Sequence, residues 1–530
     1  MPPLEILDTT LRDGSQGACV SFTVRDKLRV ASLLDELGVR YIEAGQPAAS
    51  PRDRAFFEAA RGLTLRTAQL SAFGSAGRRN TPPEEDADLR ALLAAETPVV
   101  TLFGKTPPTH VRKVLRVTLE ENLLLIRSST AFCAGQSREV IYDAEHFFDG
   151  WQEDADYALE TLRAAHAAGA RVLCLCDTNG GAHPLDVQSI TAIVVRAFPG
   201  VRVGIHCHND RGCAVASSLL AYEAGACHIQ GTLTGMGERC GNANLSTLLP
   251  DLLLFRGESG VRGELSLLTA LAAQLHETAN LALPDNLPYV GASAFAHKAG
   301  THVDGLRKLP ASFEHVDPAL VGNTRRFPVS EMAGRAATLL KIRELMPALS
   351  PDGEEIRIVA NAVKDLERNG CQFETAEASF VLFVRRLLGA HRPAFVLKGY
   401  EVSCTAGVLA LAEEARPANA PVRARLTVEA FGESETAFAV GNGPVNALDK
   451  ALRAALARFY PELFRMRLVD YKVRVLPGDD ATASRVRVLV DSSDRTRDWT
   501  TMGVSTDIIE ASWRALQDAA EYFLLYGQLE

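Results

Sequence analysis

Aromatic residues make up only 7% of the 530 residues, with three tryptophans and six methionines. No apolar run approaches the roughly 18 residues that a membrane-spanning helix needs, which argues against a membrane protein. The ten cysteines are scattered, without the spacing of zinc knuckles or of a small disulfide scaffold. They read as reduced thiols in a cytoplasmic protein, with Cys174 and Cys176 pointing into one core. Positive charge is not in excess: a net charge of −9 argues against nucleic acid or an anionic membrane as the main partner. The opening Met1-Pro2-Pro3-Leu4-Glu5 lacks the basic and apolar regions of a signal peptide, so a cytoplasmic location is expected. A nucleotide loop is missing too. The turn Gly441-Asn442-Gly443 has neither GxGxxG spacing nor a Walker lysine, and Pro444 suits a helix start.

What is present is ample core-forming material, 47% hydrophobic against 23% charged. A chain of this length calls for two or three domains. In the first half, short apolar runs recur at Leu4–Asp8, Val39–Glu43, Leu65–Leu70, Pro98–Phe103, Glu139–Tyr142, Arg171–Cys176, Val201–Ile205 and Cys227–Thr232. Amphipathic segments alternate with them: Arg25–Leu37, Asp53–Ala60, Glu84–Ala95, His110–Arg127, Glu153–Ala168, Leu185–Ala197, Cys213–Ala224 and Asn242–Phe255. Strand and helix alternating eight times is the pattern of a (β/α)₈ TIM barrel, and a doubly wound open sheet shares it. Gly38, Gly169 and Gly225 fall where helices should stop.

A barrel keeps its chemistry at the C-terminal ends of its strands. The polar clusters sit there: Arg12-Asp13-Gly14 after strand one, Glu43 closing strand two, Asp143-Ala144-Glu145-His146 after strand five, and Asp177-Thr178 after strand six. Strand seven ends in His206-Cys207-His208-Asn209-Asp210. Alternate side chains of an extended strand share a face, so His206 and His208 project together. Closure of a barrel would set strands one, seven and eight side by side and bring Asp13 to the two imidazoles. One carboxylate, two imidazoles and open positions suit a catalytic divalent metal; Mg²⁺, Mn²⁺, Co²⁺ and Zn²⁺ all fit.

Leu7-Asp8-Thr9-Thr10-Leu11-Arg12-Asp13-Gly14-Ser15-Gln16 resembles the signature of the acyl-CoA-condensing, metal-dependent barrel enzymes, a family that includes the 2-isopropylmalate, homocitrate and citramalate synthases. The stretches His206–Asp210 and Gly237-Glu238-Arg239-Cys240-Gly241-Asn242-Ala243-Asn244-Leu245 are similar to its second and third signatures. The runs Glu139–Gly150, Cys176–Gly181 and Ala294–Gly305 are similar to the citramalate synthase branch. The resemblance implies condensation of acetyl-CoA with pyruvate, then thioester hydrolysis, giving (R)-citramalate and CoA and feeding isoleucine biosynthesis. The alternatives are 2-isopropylmalate synthesis from 2-ketoisovalerate, or a non-catalytic amino-acid sensor.

By the same resemblance, Asp13, His206, His208 and Asn242 would hold the metal; Asn242 could equally cap the next helix. A 2-keto acid would chelate it through carboxylate and keto oxygens. Arg12 would stabilise the developing alkoxide. Glu145 is the first candidate for the base that deprotonates the acetyl methyl, and His302, beyond the barrel, is its rival. Thr178, Glu43 and Asp143 join Arg12 as substrate-binding candidates, and Phe73, Leu102 and Phe103 as the rim of the keto-acid pocket. A tyrosine is expected in the segment Ser312–Pro318, where this chain has Phe313, so no tyrosine enters the catalytic set.

Past residue 260 the rhythm fades. Leu265–Leu283, Met332–Leu345 and Glu354–Asn369 read as helices around an irregular segment, Asp285–Phe327. From about Phe395 a β-β-β-α order occurs twice, with helices opening near Pro444 and Ile508, which suggests an internal repeat. This part resembles the regulatory dimer domain of the same synthases, with isoleucine or leucine as effector and contacts at Gly441, Gly443, Pro444 and Asp507. The expected organisation is a catalytic barrel over 1–265, a linker over 266–392 that completes the site in a homodimer, and an α+β regulatory domain over 393–530.

Overall fold

The computed structural model describes residues 2–258, 263–328, 335–404, 422–476 and 484–526. It divides into two compact units, Met1–Phe295 with Val316–Thr324, and Ala296–His315 with Arg325–Glu530. No described helix is long and apolar enough to cross a membrane.

The first unit is a closed barrel of parallel strands in the order β1 to β8. They run Glu5–Asp8, Tyr41–Glu43, Gln69–Ser75, Val99–Lys105, Glu139–Glu145, Val172–Asp177, Arg202–Cys207 and His228–Gly231. The open-sheet alternative is excluded by the pairing of β1 with β8, where Leu7 stands opposite Gln230. Inside, Leu7, Tyr41, Val99, Ile141 and Val172 form one buried layer. Residues one position along each strand, such as Ile6, Ile42 and Val100, face the helices instead.

The N-terminal end of the barrel is tied by one arginine. Arg171 donates to Glu5 at 2.7 and 3.1 Å, to Glu139 at 2.7 Å and to the Tyr41 hydroxyl at 2.6 Å. Four strands are thereby joined at their starts.

Strand three and two of the barrel helices are among the elements that differ from the sequence expectation. Strand three begins at Gln69 rather than Leu65, because Leu63 and Leu65 pack on the core from the approaching loop, while polar Ser71 lies inside and bonds Thr101 at 2.9 Å. The helix expected at His110–Arg127 is Leu119–Gly135, started by a reciprocal capping box between Thr118 and Glu121. The last barrel helix, expected over Asn242–Phe255, is Leu245–Pro250, and its cap is Asn244, which accepts from the Ser246 amide at 2.9 Å.

In the second unit, helices Arg335–Leu345, Gly353–Arg368 and Glu377–Leu387 precede two antiparallel sheets. Met332–Gly334 lie outside the described residues. The helices Gly300–Lys308 and Glu377–Leu387 are additions to the sequence expectation. The sheets are β9 to β11 (Val396–Ser403, Val422–Ala430, Glu433–Gly441) and β12 to β14 (Arg467–Val475, Val486–Ser493, Asp498–Ser505). Each is followed by its helix, Pro444–Leu456 or Ile508–Tyr526, in the expected β-β-β-α order. Both helices pack their apolar stripes into one shared core, with Leu448, Leu452, Leu516 and Phe523 fully or nearly fully buried.

Candidate active site

The C-terminal mouth of the barrel holds a cavity of about 240 Å³, lined among others by Arg12, Asp13, Phe73, Phe103, Asp143, Glu145, Thr178, His206 and His208. His206 lies in β7 and His208 one residue beyond its end, the alternation that sets both rings on one side. Each Nε2 lies 3.6 Å from Asp13 Oδ2. Asp13 Oδ1 is buried without a hydrogen-bond partner, and so is the carboxamide oxygen of the buried Asn242. Asn242 pairs across from His208 in an isolated bridge. It follows Gly241, whose left-handed φ of 85° and close approach to the Gly235 carbonyl leave no room for a Cβ. Two imidazole nitrogens, a carboxylate and an orphaned amide oxygen form a donor set that fits a divalent cation.

The tautomer of His206 is set from behind. Gln230, fully buried in β8, donates its Nε2 to Asp143 Oδ1 at 2.9 Å, so its Oε1 is turned to accept from His206 Nδ1 at 3.1 Å. The Nε2 lone pair is then left facing Asp13. The sequence reading missed Gln230, a fully buried polar side chain in the short strand β8, on the same side as His228.

Burial alone would raise Asp13, but the Arg12 guanidinium and both imidazoles outweigh it and hold the carboxyl well below its usual range. Burial, with His208 beside it, pushes His206 down to about 3. Burial pushes Asp143 up, reinforced by Glu43 and opposed by Gln230 and Arg12. The imidazoles are thus neutral and Asp13 anionic at neutral pH, the protonation states that metal ligands need.

Arg12 is held on three sides. Its Nε donates to Glu43 at 2.6 Å, Nη1 donates to Asp13 at 3.0 Å, and its guanidinium lies 3.9 Å from the centre of the Phe73 ring. Phe73 in turn stacks on Phe103 at 5.0 Å. Leu102 does not reach the rim; it is buried against the helices, because Phe103 and Leu102 face opposite sides of β4. Glu145 is the last residue of β5, inside the strand rather than after it, and pairs with Lys105 at 2.6 Å. The Thr178 hydroxyl accepts from the His146 amide at 2.8 Å, which leaves its own proton to donate into the cavity.

His302 belongs to the second unit, on the exposed side of the helix Gly300–Lys308, with its ring stacked on Phe313 at 4.1 Å. Of the residues expected at an effector site, Gly441 ends β11, Gly443 and Pro444 open the helix that follows, and Asp507 accepts from the Ile509 amide at 2.7 Å at the start of the last helix.

A closed parallel barrel with this Asp–His–His–Arg mouth, followed by a doubled β-β-β-α domain, is the architecture that the sequence resemblance to the acyl-CoA-condensing barrel enzymes implies. Comparison with known proteins agrees over the whole chain. Residues 3–268 match the HMGL-like family, 289–370 the homocitrate synthase post-HMGL domain-like family, and 374–524 the LeuA allosteric (dimerisation) domain. The (R)-citramalate synthase of Aquifex aeolicus is 44% identical over 99% of this chain and 98% of its own length. That of Synechocystis is 46% identical over 98% and 96%, whereas the 2-isopropylmalate synthase of Halalkalibacterium halodurans is 29% identical over 98% and 96%. The chain belongs to the HMGL-like family, on the side of the (R)-citramalate synthases.

Proposed function

We propose that the protein condenses acetyl-CoA with pyruvate and hydrolyses the resulting thioester, yielding (R)-citramalate and CoA. The observation that carries this is the meeting of Asp13, His206 and His208 beside Arg12 in one small polar cavity, in a chain 41–46% identical to (R)-citramalate synthases.

Asp13, His206 and His208, with Asn242 beside them, would hold a divalent metal, which supplies Lewis-acid polarisation of the keto group when bound. Arg12, unable to swing between Glu43 and Phe73, keeps its remaining N–H groups for the alkoxide that develops at the keto oxygen. Thr178 donates its hydroxyl proton to the pyruvate carboxylate. The Glu145 carboxylate takes a proton from the acetyl methyl, the new enolate carbon bonds to the keto carbon, and the alkoxide so formed takes up the proton that Glu145 gives back through solvent. Water then cleaves the thioester, releasing the CoA thiol and the second carboxylate of the product. His302 is the second candidate for proton handling, supported by its place in the part matched by the post-HMGL domain. Asp143 acts through Gln230 on His206.

The organisation proposed is a catalytic barrel over 1–265, a linker over 266–392 and a regulatory domain over 393–530 that forms a homodimer. Isoleucine or leucine would bind near Gly441, Gly443, Pro444 and Asp507, where two helix N-termini favour a carboxylate. A cavity of about 650 Å³, lined by Val445, Asn446, Arg453, Leu468 and Tyr471 among others, adjoins the first of these.

A CoA-release assay with pyruvate and with 2-ketoisovalerate, with and without a chelator, tests the reading. Pyruvate should turn over faster and the chelator should abolish release. Faster turnover of 2-ketoisovalerate would sink the acceptor assignment, and indifference to the chelator would sink the metal.

A further inference from the structure

Beyond β4 the chain enters Lys105–Arg116, a segment with four cations (Lys105, Arg112, Lys113 and Arg116) and no carboxylate, in a protein of net charge −9. It leaves the strand at the mouth of the barrel, and its backbone is pinned from beneath. Val111 and Val117 are buried with Tyr157. The Asn122 side chain donates to the Lys105 carbonyl at 3.0 Å, and the Thr109 amide and hydroxyl donate to Glu153 at 2.8 and 2.5 Å.

Its upper side is the reverse. Val111–Leu115 forms a single π turn closed by Arg116 in the left-handed region, at φ 58°. Arg112, Lys113 and Arg116 are exposed and make no ion pair among the described residues, although Glu120 lies within electrostatic reach of Arg112. Val114 and Leu115 are bared, 61% and 40% exposed. A π turn and a left-handed arginine are both unfavourable and gather at functional positions. An unpaired cation cluster around two exposed aliphatic side chains is a surface made for a phosphorylated, partly apolar ligand.

The segment is coupled to the cavity at both sides of Glu145. Lys105 pairs with Glu145 itself. The His110 ring meets that of His146 edge-on at 4.6 Å, and the His146 amide holds Thr178.

We propose that Arg112, Lys113 and Arg116 bind the phosphates of the adenosine 3′,5′-bisphosphate end of the acyl-CoA donor, with Val114 and Leu115 packed against its adenine. This rests on the reading that the donor is a CoA thioester. The reacting acetyl group then lies beside Glu145 and the nucleotide beyond Lys105, along one rigid segment. Binding energy from the remote phosphates positions the methyl group without touching it.

The test compares wild type with Arg112→Gln/Lys113→Gln and with the same pair plus Arg116→Asn, a residue that tolerates the left-handed backbone. The variants should raise KM for acetyl-CoA by about tenfold or more with little change in KM for pyruvate. The penalty should vanish with S-acetyl-N-acetylcysteamine, a thioester donor that carries no phosphate. Calorimetry should show adenosine 3′,5′-bisphosphate binding to wild type, weakening with added salt, and not to the variants. A wild type that releases no CoA from acetyl-CoA and pyruvate overturns the activity itself. A wild type that turns over while both variants keep its KM overturns the binding assignment. Equal competition by any single-stranded oligonucleotide would make the segment a general polyanion surface and overturn it too.

Discussion

Asp8, one turn before Arg12, shows what burial does to a single carboxylate beside this site. Its Oδ1 accepts from the Thr10 amide at 2.8 Å. Burial pushes it up to about 7, against the bonds from Thr10 and with help from Glu43. In the unfolded chain it titrates near 3.8, so the folded state binds this proton more tightly. Its contribution to stability is complete below about pH 4 and is lost as the pH rises to about 7. Thermal denaturation of wild type and Asp8→Asn across that window should show wild type losing ground to the variant; a constant difference would refute the shift. Gln230 offers a second test. Gln230→Leu preserves the bulk but frees His206 to take either tautomer, and metal affinity by calorimetry should fall about 10- to 100-fold. Unchanged affinity would mean that the Asp143–Gln230–His206 chain orients nothing.

Elements of the barrel divide their labour between its two ends. The C-terminal mouth holds the polar cavity, and the N-terminal end is fastened by Arg171. Arg171→Ala strands Glu5, whose other cation, Arg202, stands at 3.6 Å. Urea unfolding should show a loss of about 3 kcal/mol with KM for pyruvate unmoved. The strand alternation that sets His206 beside His208 is local, with a period of two residues, and so it was legible in the sequence, as were the eight strands and the doubled β-β-β-α order. Gln230 was not, because its role depends on Asp143, 87 residues away in sequence. The start of strand three was hidden because Gln69 and Ser71 put polar side chains where a strand reader looks for apolar ones. Thr118 and Glu121, by contrast, carried a readable capping signal that the apolar pattern around His110 obscured. Leu102 was misplaced by one residue of alternation, which in a strand is the difference between rim and core.

For the whole molecule, the second unit leaves one face of its first sheet bare, whereas the second sheet is covered by its own helix on one face and by the helix Glu377–Leu387 on the other. On β11, Phe438 and Val440 are 72% and 53% exposed. Arg425 stands opposite Phe438 on the same open face. Apolar residues alternating along an open sheet suit a symmetric partner surface, in keeping with the match to a dimerisation domain. Phe438→Glu together with Val440→Glu should convert a dimer to monomers in sedimentation velocity. A double variant that sediments as wild type would place the interface elsewhere.

The harness around Arg12 has one more consequence, for the order in which the site is loaded. Arg12 and Lys105 face Asp13, Glu43 and Glu145, so the fixed charges of the mouth are negative on balance before any cation arrives. An anionic keto acid approaching that mouth is repelled until a divalent ion has entered, whereas a donor thioester held by its distant phosphates is not. Saturation with metal should therefore tighten the apparent KM for pyruvate and leave that for acetyl-CoA nearly constant, the signature of compulsory-order loading in initial-rate kinetics.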